Sequence, residues 1–201
     1  MSPLEEFKAE KMPAQLILKK SFVIEKLKLI KSYFKAKKPL NLRIMANELI
    51  NTAVIRNDKV IARLCLIAYS LHKFLSKVHF AQNTKAEKNF LIILNALDKT
   101  IDSVKEHDET ALAADMDKFA FVFEKIDVES NNFFQSLYSK AKVKYAADAF
   151  YLGMSLSTAA QLTGANIGDL QKYVSFTKQF EVEPKVIGIS ERLKKLEEMI
   201  S

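Results

Sequence analysis

Apolar residues recur at intervals of three and four along most of this chain, a period that predicts helices rather than strands. Leu16, Phe22, Val23, Leu27, Ile30 and Phe34 fall at helical spacings, interleaved with Lys19, Lys26, Lys28, Lys31 and Lys35. Pro13 suits the opening of this helix, since its missing N–H falls among the unpaired first-turn donors. Pro39 should end it, because the residue before a proline is pushed out of the α region. A second helix is expected from near Leu40 to about Ile55, with Leu42, Met45, Leu49 and Thr52 inward. Asn57 and Asp58 then form a turn and an N-cap.

From Lys59 to about Val78 the chain is apolar around much of its circumference, which predicts a central helix with neighbours on several sides. Further helices are expected over Ala86 to Lys105, from Asp108–Thr110 to about Val128, and from Asn131 to about Leu152. Together these segments predict an all-α protein built on an antiparallel bundle with short loops.

Composition agrees. The chain has only four Gly and four Pro in 201 residues, and Asn-Gly or Asp-Gly hairpin signals are missing. A single cysteine, Cys65, leaves no internal disulfide or cysteine-based zinc site, which fits a reducing, cytoplasmic setting. No signal-peptide pattern opens the sequence, and no apolar run approaches the ~18 residues of a membrane span. Charge is uneven: residues 1–80 hold 16 Lys or Arg against 6 acids, whereas residues 81–140 hold 7 against 11. The basic helix over Lys19–Lys38 therefore has three readings: lysines snorkelling from a bundle surface, contact with nucleic-acid phosphates, or contact with an anionic membrane. Bundle helices on either side favour the first.

Little in the sequence suggests catalysis. Cys65, His72 and His79 recur every seven residues on one helical face, but successive members lie about 10 Å apart along the axis. Adjacent members cannot share one zinc, whose ligands sit about 2 Å from the metal, so no metal site is expected. The acidic run Glu106-His107-Asp108-Glu109 suits a helix start. Without a phosphate-binding glycine loop, a paired-His zinc motif or a nucleophile elbow, the reading is of a non-enzyme without cofactor.

The segment "GMSLSTAAQLTGANIGDL" concentrates three of the four glycines, Gly153, Gly164 and Gly168. Gly153 stops a supporting helix that ends in "YAADAFY". Ser155 or Ser157 can N-cap a short helix, "STAAQLT". Ala160 allows a close crossing, Gly164 makes a sharp turn, and a third helix runs from about Ile167 to Phe176, packing through Leu170, Tyr173 and Val174.

The string "LSTAAQLTGANIGDLQKYV" resembles the helix-turn-helix pattern, with a small residue, a turn glycine four on and an apolar residue six further. The longer "AADAFYLGMSLSTAAQLTGANIGDLQKYV" is similar to the helix-turn-helix of small prokaryotic antitoxin-type proteins and of uncharacterised archaeal helical proteins. The tail "PKVIGISERLKKLEEMI" is similar to tails that follow the motif in the archaeal group. The resemblance implies duplex DNA as partner, with a protein partner or homodimer through the bundle, and transcriptional regulation or an antitoxin-like role. The alternative is a non-catalytic interaction or scaffold module in which the motif only packs.

In the DNA reading Asn166 and Gln171 face an adenine edge, Lys172 and Lys178 contact phosphate, and Ser175 completes the exposed set. Several residues oppose it. Asp169 repels phosphate, Gly168 weakens the helix start by roughly 1 kcal/mol relative to alanine, and Thr163 replaces the usual apolar residue before the turn. The organisation expected is a bundle over 1–130, a helix-turn-helix unit with supporting helix over 131–180, and a linker with a short helix over 181–201. That last helix starts at Ser190, with Leu193, Leu196 and Ile200 on one face.

Overall fold

A computed structural model describes residues 14–76, 84–107, 111–128 and 133–178. Among these residues the protein is all-helical, with no strand. The helices are α1 (Ala14–Lys35), α2 (Pro39–Arg56), α3 (Lys59–Ser76), α4 (Thr84–Glu106), α5 (Leu112–Val128), α6 (Phe133–Tyr151), α7 (Leu156–Thr163) and α8 (Ile167–Lys178). None of the described helices is long and apolar enough to cross a membrane. Pro13, the side chain of Leu16, residues 108–110, the expected boundary at 130 and the tail from 179 lie outside the described residues.

The centre is α3, which packs against α1, α2, α5, α6 and α7. Its apolar residues face all these neighbours, so Val60, Ile61, Leu64, Cys65, Leu66, Ile67, Leu71 and Phe74 are all buried. α2 lies along it in the most extensive pairing, and Leu42, Met45 and Leu49 point inward as expected. Thr52 is only half-buried and returns its hydroxyl to the Glu48 carbonyl at 3.0 Å. Buried side chains form one continuous core from Val23 on α1 to Val174 on α8.

The helix junctions refine the sequence reading. α1 stops at Lys35, where Lys37 takes a left-handed φ of 52° and the Lys38 N–H returns to the Tyr33 carbonyl at 3.0 Å. Pro39 is therefore also the first residue of α2, the position where its missing N–H costs least. The turn at Asn57 and Asp58 forms as expected. Asn57 has φ 49°, and the Asp58 carboxylate accepts from the N–H groups of Val60 (2.8 Å) and Ile61 (3.3 Å).

Several lysines of the basic helix are absorbed by neighbouring helices. Lys19 pairs with Asp58 at 2.9 Å, and Lys31 pairs with Asp98. Lys20 donates to the carbonyls of Lys105 and His107, 2.7 and 2.9 Å away, placing a cation on the C-terminal end of α4. Lys28 and Lys35 stay exposed. Arg63 on α3 grips Asp117 on α5 through two bonds of 2.6 and 2.9 Å, a bidentate geometry that fixes rotation as well as distance.

Of the acidic run, Glu106 belongs to the last turn of α4, whereas the helix start expected at Asp108–Thr110 lies outside the described residues. The carboxylate in the first turn of α5 is Asp115, whose side chain has no solvent exposure. It accepts from His107 Nδ1 at 2.9 Å and Lys118 Nζ at 3.0 Å. Burial pushes this carboxyl up, but the bonds from His107 and Lys118 outweigh burial and hold it below its ordinary value. A depressed folded pKa gives stability that is present above the unfolded value of about 3.9 and lost as pH falls through the folded one. Asp115→Asn should therefore destabilise the protein by about 1–3 kcal/mol at pH 7. Urea unfolding should show the two chains converging toward pH 3; a gap independent of pH would contradict this role.

Candidate nucleic-acid interface

The candidate interface is assembled from three helix ends in succession. α6 ends where Gly153 adopts φ 97° and the Met154 N–H returns to the Ala149 carbonyl at 3.1 Å. Ser155, rather than Ser157, caps α7, accepting from the Thr158 N–H at 3.1 Å. α7 buries Ala159, Ala160, Leu162 and Thr163. Thr163 is tolerated there because its hydroxyl donates to the Ala159 carbonyl at 3.2 Å, leaving no unpaired polar group.

The turn is built on one carbonyl. Ala160 accepts from the N–H of Gly164 at 2.8 Å and of Ala165 at 3.1 Å, which links the small residue and the glycine four positions later. Gly164 has φ 71°, and a Cβ there would meet nothing within 4 Å. The glycine is needed for its backbone conformation, not for space. Asn166 then caps α8, its Oδ1 accepting from Gly168 N (2.8 Å) and Asp169 N (3.1 Å). A Cβ on Gly168 would lie 3.2 Å from that same oxygen. The glycine that weakens the helix start by propensity thus makes room for its cap.

α8 packs on α6 and α7 through Leu170 and Val174, both buried. Tyr173, expected to pack inward, is 41% exposed, because it lies on the flank of the helix rather than over the stripe. At 100° per residue the outer surface divides into two flanks. Gln171 and Ser175 occupy one, both exposed. Lys178 continues that line along the backbone, its side chain being outside the described residues. Asp169, Lys172, Tyr173 and Phe176 share the crest and the other flank, with Phe176 70% exposed. Asn166 is exposed too, but its Oδ1 is committed to the cap, so it is not open to bidentate pairing with adenine while the cap holds.

Beside the second flank runs an open groove of about 830 Å³ between α6 and α8. Lys140, Lys142 and Val143 from α6 face Lys172, Tyr173 and Phe176 from α8 across it. Lys142 and Lys172 thus share one surface. Lys144, two residues on, turns away to a second patch, paired with Asp148 at 2.6 Å and 4.2 Å from the Tyr145 ring centre. Lys73 lies 5.4 Å over Tyr69 in that patch, and Tyr145 donates its hydroxyl to Asn47 at 3.2 Å. Burial raises the Tyr145 phenol far above its ordinary range, keeping it a neutral donor. The sequence reading missed the apolar groove. Its only signal was the spacing of Lys140 and Val143 on one face of α6.

Elsewhere, Cys65 is fully buried and burial pushes its thiol up, which makes it unreactive. His72 donates from Nδ1 to the Pro39 carbonyl at 2.9 Å, tying α3 to the start of α2, and burial lowers its pKa. His79 lies outside the described residues. Comparison with known protein families, with curated proteins and with solved structures finds no match to this chain.

The turn geometry makes a direct stability test. Gly164→Ala should cost about 1–2 kcal/mol through positive φ alone. Gly164→Asn should cost less, because asparagine tolerates the left-handed region. Denaturant midpoints of the three chains check the order; equal losses would mean that the backbone argument fails.

Proposed function

We propose that this protein binds duplex DNA, with α7 and α8 acting as a helix-turn-helix and the preceding helices as a bundle for protein contacts or dimerisation. A transcriptional regulator or antitoxin-like factor is the role that fits. The carrying observation is how lightly α8 is held. Among the described residues of α8 only Leu170 and Val174 are buried, and the surface bearing Gln171, Lys172 and Ser175 faces outward, where a groove-reading helix must present itself. Gln171 supplies both donor and acceptor for an adenine edge. Lys172 supplies phosphate contact, as does Lys178 in this reading, and Asn166 serves by setting the start of the helix. The resemblance of the glycine-bearing segment to helix-turn-helix proteins points the same way.

A second reading has its own observation. Ile167, Tyr173 and Phe176 leave apolar surface on α8 that a DNA reader does not need, and this favours a protein-interaction module.

The two separate in one titration. Anisotropy with random duplex DNA across a salt series should show affinity falling steeply with salt. Lys172→Glu/Lys178→Glu should lower affinity and reduce the slope by roughly 0.9 for each phosphate no longer neutralised. Absence of binding at low salt overturns the DNA reading.

A further inference from the structure

We propose that the groove between α6 and α8 is the docking site of the chain's own C-terminal segment, residues 190–201, bound as an amphipathic helix. The inference does not rest on DNA binding. Tyr173 and Phe176 present aromatic surface beside the end of α8, and the chain continues from that end, since Phe176 lies only two residues before Lys178. Residues 179–189 can reach about 35 Å when extended, ample for the chain to double back. Pro184 and Gly188 within that stretch favour a change of direction.

Beyond Gly188 the sequence has the pattern the groove requires. Ser190 is an N-cap type, and Leu193, Leu196 and Ile200 fall on one helical face. A helix this short is marginal in water and gains its stability by burying that face. Glu197 and Arg192 stand at the two edges of that face, and Glu197 is the one able to meet a lysine of the groove. Lys140, Lys142 and Lys172 line the groove, and none of them forms an ion pair among the described residues. Tethering favours the segment over a free competitor, because short linkers hold effective concentrations near the millimolar range.

Methyl-labelled full-length protein tests this by NMR. Contacts are expected between the methyl groups of Leu193, Leu196 or Ile200 and the rings of Tyr173 or Phe176, unchanged on dilution. Phe176→Glu alters a residue outside the buried core and should leave the methyl spectrum of the core residues on α3 unchanged. It should lower hydrogen-exchange protection of amides 194–200 by about tenfold or more, since the helix is marginal undocked. Tail methyl groups without these contacts overturn the proposal. So do contacts seen only between differently labelled copies, which would make a second molecule the occupant. Unaltered protection in Phe176→Glu overturns it as well.

Discussion

The fold depends on the burial of α3 around most of its circumference. A helix apolar around its circumference cannot rest on a surface, so it must be enclosed, and five other helices do so. Each large apolar side chain fully removed from water contributes about 1.5–3 kcal/mol, and seven of them on α3 are buried. The surrounding helices take their orientation from this axis. Arg63 reaches out of it to set α5 through Asp117, and His72 reaches out of it to set the start of α2. α8 lies beyond this arrangement, touching α6 and α7 while α7 itself rests on α3.

The helices were legible because their apolar spacing is a local property. Asp58, Gly153 and Gly164 were legible for the same reason: a cap or a left-handed turn is decided by a few neighbouring residues. What escaped depends on contacts between distant residues. Nothing in the lysine-rich first helix indicates that Lys20 caps the end of α4, 85 residues away, or that Lys31 meets Asp98. The excess positive charge of the first 80 residues is therefore less available to a polyanion than its count suggests. Asp115 escaped for a related reason. A carboxylate in a first helical turn is ordinary, and only packing shows that this one is sealed from water between His107 and Lys118.

At the candidate interface the legible part was the backbone and the illegible part was the flank. Asn166 and Gly168 looked like one reader and one defect, yet together they make a single cap. The spacing of Tyr173 from Leu170 points to the core. That spacing is compatible with either side of a helix whose buried stripe, among the described residues, is two residues long. The groove needed α6 and α8 side by side to be seen, since its lining comes from segments more than 20 residues apart.

The narrow attachment of α8 also has a kinetic side. Among the described residues, two buried aliphatic side chains and the partly covered Tyr173 hold it against α6 and α7, far less than holds α3. Its opening is therefore a local event that need not involve the core, and it belongs among the earliest to exchange its amide hydrogens. Any molecule that binds only the closed form suppresses that opening in proportion to its occupancy. The amide protons of Leu170 to Val174 thus form a built-in reporter, able to register a bound partner before its identity is known.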